Sequence, residues 1–180
     1  MNSNPTGLYD HNYEKSSCGV GFITRKDSVQ SHEILIKAHE ALCSVPHRGG
    51  MSSEGVGDGA GISIDLSLDF FQKITSKKLI PGHFCVGNFF MPSDKDKCDK
   101  AKNLIINTLK NEKFKLLKIR DIPTNKKILN KSSILSQLEI KQFIFEIPKN
   151  INNVDIIIHE CLLKIEAKAF VSKKLKELYP

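Results

Sequence analysis

The sequence predicts an α/β or α+β domain, and three observations carry that prediction. Short apolar runs of strand character alternate along the chain with longer stretches of helical apolar spacing. The length, 180 residues, suits one domain or a piece of a larger one. The composition, 40% hydrophobic and 26% charged, is that of an ordinary globular domain.

The elements follow in order. Residues 1–17 are polar, carry Pro5 and Gly7, and read as an extended leader. Cys18–Thr24 is an apolar run with two glycines, read as a strand whose backbone is closely approached. Ile34, Leu35, Ala38, Ala41, Leu42 and Val45 recur at helical spacing, and Pro46 stops that helix. After the glycine-rich stretch 47–61, Ile62–Leu66 alternates like a strand and Asp69–Thr75 reads as a short helix. His83–Met91 reads as a buried strand. Lys97–Lys110 carries Cys98, Ala101, Leu104, Ile105 and Leu109 on one helical stripe. Phe114–Ile119 is a strand, residues 121–124 a turn, and Gln142–Ile147 another strand broken by Pro148. Val154–Leu178 reads as a long helix with Asn153 as its N-cap. Such a pattern normally feeds a further strand, so the chain is expected to be a truncated stretch.

Composition removes several function classes. The net charge of +7 comes from 24 lysines with only Arg25, Arg48 and Arg120. The lysines are scattered, and with 7% aromatics they make a solvated surface rather than a nucleic-acid face. No stretch approaches the roughly 18 apolar residues of a membrane span. Residues 1–17 hold no apolar signal core, so the expected compartment is the cytoplasm, with an organelle as the alternative. Five cysteines without a CxxC pair argue against a disulfide framework and a structural zinc. Cys43 and His47 make at most a two-ligand pair, and six histidines form no HExxH, so no metal is expected. Gly55-x-Gly57-x-x-Ala60 has dinucleotide-like spacing but lacks the preceding strand and following helix. A glycine-lined loop near a site, or a plain turn, accounts for it.

Cys43, Cys85, Cys98 and Cys161 sit on apolar periodic segments, where small buried thiols are common. Cys18 differs, because it opens an apolar run behind a polar segment. Were residues 1–17 removed, it would carry a thiol and a free α-amine with a pKa of roughly 7.7–8, able to act as base for its own thiol. A buried structural thiol is the competing reading.

The ordered set Gly7-Leu-Tyr-Asp10, Cys18-Gly-Val-Gly-Phe22, Ser31-His32, His47-Arg48-Gly49 and Gly57-Asp-Gly-Ala-Gly-Ile62 resembles the opening of the glutamate synthase large-subunit family. His83–Met91, Arg120-Asp-Ile-Pro123 and Gln142–Phe145 agree more loosely. The resemblance implies a class II glutamine amidotransferase domain of the N-terminal-nucleophile type. Its fold would be α+β, an Ntn-hydrolase-like four-layer αββα sandwich with antiparallel sheets, of which only the first part is present. Residues 1–17 would be a propeptide and residues 18–180 the N-terminal part of the domain. Cys18 would be the catalytic nucleophile that hydrolyses glutamine to glutamate and ammonia. Arg48 and Gly49 would bind substrate or order the site, and Asp58 and Gly59 would lie in a nearby loop.

The same resemblance implies that ammonia reaches downstream synthase domains, where it is joined to 2-oxoglutarate. FMN and an iron–sulfur cluster would serve that step, fed by a small electron-donor subunit or ferredoxin; no cofactor falls within these 180 residues. The family's carboxylate-binding arginine and oxyanion Asn-Gly pair lie beyond residue 180. Since losing one oxyanion donor costs about 10²–10³ in rate, the isolated chain is expected to be inactive. Gly50 and Val56 depart from the family's usual alanine and threonine. The other readings are a different class II amidotransferase, and a non-catalytic remnant or binding module.

Overall fold

A computed structural model describes residues 20–45, 59–172 and 178, in two compact units, Met1–Asp65 and Leu66–Pro180. In the first unit the described element is helix α1, His32–Cys43. The second unit carries, in order, α2 (Leu68–Thr75), β1 (Phe84–Met91), α3 (Lys95–Asn111), β2 (Lys115–Asp121), α4 (Lys131–Ser136), β3 (Glu139–Glu146) and α5 (Val154–Val171). A single 3-10 turn, Lys126–Ile128, precedes α4. The class is α+β with an antiparallel sheet.

The three strands lie in the order β1-β3-β2, both pairings antiparallel. The last strand in sequence is therefore the central one. Its Gln-Phe-Ile-Phe run, residues 142–145, is buried at every position, which a strand requires when both its faces are covered. Phe143 and Phe145 face α3 and α5, with Phe89 and Met91 beside them. Cys98, Ala101, Ile105 and Leu109 of α3, and Cys161, Ile165 and Ala169 of α5, complete this core. Ile144 faces the other way, with Phe84, and Phe71 of α2 and Leu79 close over them.

Local chemistry sets the element ends. Ser67, Asp94 and Asn130 each accept a backbone N–H of the first helical turn at α2, α3 and α4, a contribution of about 1 kcal/mol per cap. Asn153 precedes α5, but with φ of 56° and no side-chain bond to the helix; it turns the chain rather than capping it. Helix α3 ends on Lys113 at φ of 66°, with Lys113 N–H donating to Lys110 O and Phe114 N–H to Leu109 O. That left-handed position usually holds glycine. Gly87 in β1 is required by contact: a Cβ there would come within 2.9 Å of the buried Phe89 ring.

Of the two strands expected in the first unit and at its border, residues 18–19 lie outside the described residues and the rest is not described as strand. Residues 20–24 and 62–66 carry no ladder. Their apolar spacing is that of strands, but a strand is made by pairing and packing as much as by its own residues. The helix expected over 154–178 is described to Val171, with Ser172 outside it and 173–177 outside the described residues.

Two substitutions test the balance of core and cap. Phe143→Ala should cost about 3–5 kcal/mol by cavity formation. Lys113→Gly should leave stability unchanged or raise it by up to about 1 kcal/mol by relieving the left-handed residue. Urea unfolding of the chain followed by circular dichroism measures both.

Candidate functional site

Of the residues the sequence singles out, Cys18, Arg48, Gly49 and Asp58 lie outside the described residues, as does His47. Gly59 is described. Its φ of +86° is in the left-handed region and a Cβ would meet nothing within 4 Å, so backbone conformation rather than crowding calls for glycine there. Ala60 to Asp65 run on exposed and without regular structure.

The segment after Cys18 is shaped by a small polar turn. Arg25 Nε donates to Asp27 Oδ1 at 2.9 Å, and the same oxygen accepts from Val29 N–H at 3.2 Å. The Arg25 guanidinium, and then the Val29 N–H, hold the Asp27 carboxyl below its ordinary range. The turn places Ser31 at the start of α1, where its Oγ accepts from Glu33 N–H. Helix α1 then leads toward the His47-Arg48-Gly49 motif. Its Cys43 is exposed, with the sulfur 3.8–3.9 Å from the His39 ring nitrogens. The expectation of a buried thiol at 43 is therefore corrected: the sulfur lies on the side of α1 away from Ile34, Leu35 and Ala38, which are half-buried.

In the second unit the three looser stretches of the family resemblance meet. Arg120 Nε donates to Gln142 Oε1 at 2.7 Å, and Gln142 Nε2 donates to Asn88 Oδ1 at 2.9 Å. One polar chain thus crosses all three strands on the α2 side, with the Arg120 guanidinium 5.3 Å from the centre of the Phe70 ring. Gln142 is buried, and both ends of its amide are satisfied. Sequence reading did not anticipate this chain. An amide directly preceding the apolar Phe143-Ile-Phe145 run was its signal.

The remaining thiols are packing groups. Burial, and secondarily Cys161, pushes the Cys85 thiol up to about 11. Burial first, then Glu112, raises Cys161 as well. Thiols held neutral are poor nucleophiles and poor metal ligands. Among the described residues no three His, Cys, Asp or Glu side chains converge on a possible metal position. An iron–sulfur cluster needs several converging thiolates, and the described cysteines do not fit one. A groove of about 340 Å³ lies at the C-terminal end of α3, lined by Asn111, Lys113, Lys149 and Ile157 among others. It presents no nucleophile. No helix of the described residues is long and apolar enough to cross a membrane.

Comparison with known proteins gives one family. A family model described as glutamine amidotransferases class-II matches residues 18–179. Among similar proteins, a glutamate synthase [NADH] of Saccharomyces cerevisiae is 42% identical over 104 residues, covering 55% of this chain and 5% of its own. A ferredoxin-dependent glutamate synthase of Pyropia yezoensis is 33% identical over 145 residues, 78% of this chain and 9% of its own. A ferredoxin-dependent glutamate synthase 1, chloroplastic/mitochondrial, of Arabidopsis thaliana is 30% identical over 169 residues, 91% of this chain and 10% of its own. The chain thus spans a tenth or less of the length of these relatives.

The thiol environments predict an order of reactivity. With iodoacetamide at neutral pH the folded chain should be alkylated at Cys43, while Cys98 and Cys161 react only after unfolding; peptide mass mapping reads this directly. The Cys85 shift also fixes a pH window. Its folded value lies above the ordinary 9.0, so the unfolded chain loses this proton first. The stability it contributes is whole below pH 9 and is lost as pH rises toward 11. Urea midpoints at rising pH should fall less in Cys85→Ala than in the parent chain.

Proposed function

The chain belongs to the class II glutamine amidotransferases, and on that premise we propose that it is a glutaminase domain whose nucleophile is Cys18. The observation that carries this reading is the agreement of two boundaries. The family match opens at residue 18, the residue at which the sequence places a cysteine behind a polar leader. Residues 1–17 are then a propeptide, and their removal frees the Cys18 α-amine.

The chemistry follows from that terminus. The α-amine takes the thiol proton, and the thiolate attacks the side-chain amide carbon of glutamine. The tetrahedral intermediate collapses with the amide nitrogen leaving as ammonia, protonated by the same amine. Water then hydrolyses the glutamyl thioester to glutamate and returns the thiol. Arg48 and Gly49, in the His-Arg-Gly motif, order the site and the bound glutamine. Asp58 and Gly59 form a loop beside it, for which the left-handed Gly59 supplies a tight bend. The neutral, packed thiols at 85 and 161 leave Cys18 as the better candidate for this role.

The relatives named above are glutamate synthases, which favours that whole activity for the longer protein to which such a domain belongs. In it, ammonia from Cys18 chemistry is passed to 2-oxoglutarate in a separate domain. FMN and an iron–sulfur cluster belong to that part, as does contact with ferredoxin or an electron-donor subunit. The four described thiols are free, which favours a reducing compartment, the cytoplasm among them.

N-terminal sequencing and a glutaminase assay on the protein from its own cells test the reading. The mature chain should begin at Cys18. Cys18→Ala should lower glutamine hydrolysis by at least about a thousandfold, with the fold unchanged by circular dichroism. The rate should fall below pH about 7.7 as the α-amine takes up a proton. A mature chain beginning at Met1, or a fully active Cys18→Ala protein, overturns it.

A further inference from the structure

We draw no further inference here: the strongest candidate, the outward apolar face of helix α5 formed by Ile156, Leu163 and Phe170, carries nothing because nothing in the structure shows what covers it.

Discussion

The second unit depends on the burial of one strand from both sides. Strand β3 supplies hydrogen bonds to β1 and to β2, Phe143 and Phe145 to one core, and Ile144 to the other. No other described strand has two neighbours. Its side chains therefore answer to two packing problems at once. The stacking of Phe143 on Phe145 at 6.3 Å, with Phe89 edge-on to Phe143 at 5.3 Å, shows how tightly one of them is solved. Helices α3 and α5 meet that face with a mixture of small groups, Cys98, Ala101, Cys161 and Ala169, and larger ones, Ile105, Leu109 and Ile165.

The central strand also carries the one buried amide of that region. Gln142 accepts from one edge strand and donates to the other, so a slip of either edge by one residue would strand a polar group in the interior. Apolar contacts tolerate small displacements, whereas paired donors and acceptors do not. The Arg120–Gln142–Asn88 chain therefore fixes register in a sheet whose hydrophobic pattern, apolar on both faces of β3, specifies register weakly.

Much of this was legible in the residues. The helices over 33–45, 69–75 and 97–110 announced themselves by spacing, and the strands expected at 83–91, 114–119 and 142–147 by their apolar runs, although the last begins three residues earlier, at Glu139. The central place of β3 and the identity of its neighbours were not read from the sequence. What could not be read was pairing: residues 20–24 and 62–66 have strand composition but no ladder, and composition does not say where a partner lies. Asn153 and Lys113 show the same limit at helix ends, where a left-handed turn overrides what each residue prefers. The candidate site was legible in a different manner. Cys18 stood out by its position behind a polar leader and by the motifs around it, not by any periodicity. Periodicity already marked Cys85, Cys98 and Cys161 as packing thiols; Cys43, on a similar periodic segment, is exposed, and that difference needed the structure.

The order of strands has a consequence for synthesis. The chain makes β1 first, then β2 some two dozen residues later, yet neither pairs with the other. Both wait for β3, which leaves the ribosome last of the three. Until residue 146 has emerged, two strands with unsatisfied edges and the apolar faces of α2 and α3 are present without the element that joins them. Such a topology forms late and all together rather than hairpin by hairpin. The interval is the period in which a nascent chain is exposed to wrong pairing and to chaperones. The placement of the strand buried on both faces at the centre and at the end of that sequence makes the closing step both delayed and strongly driven.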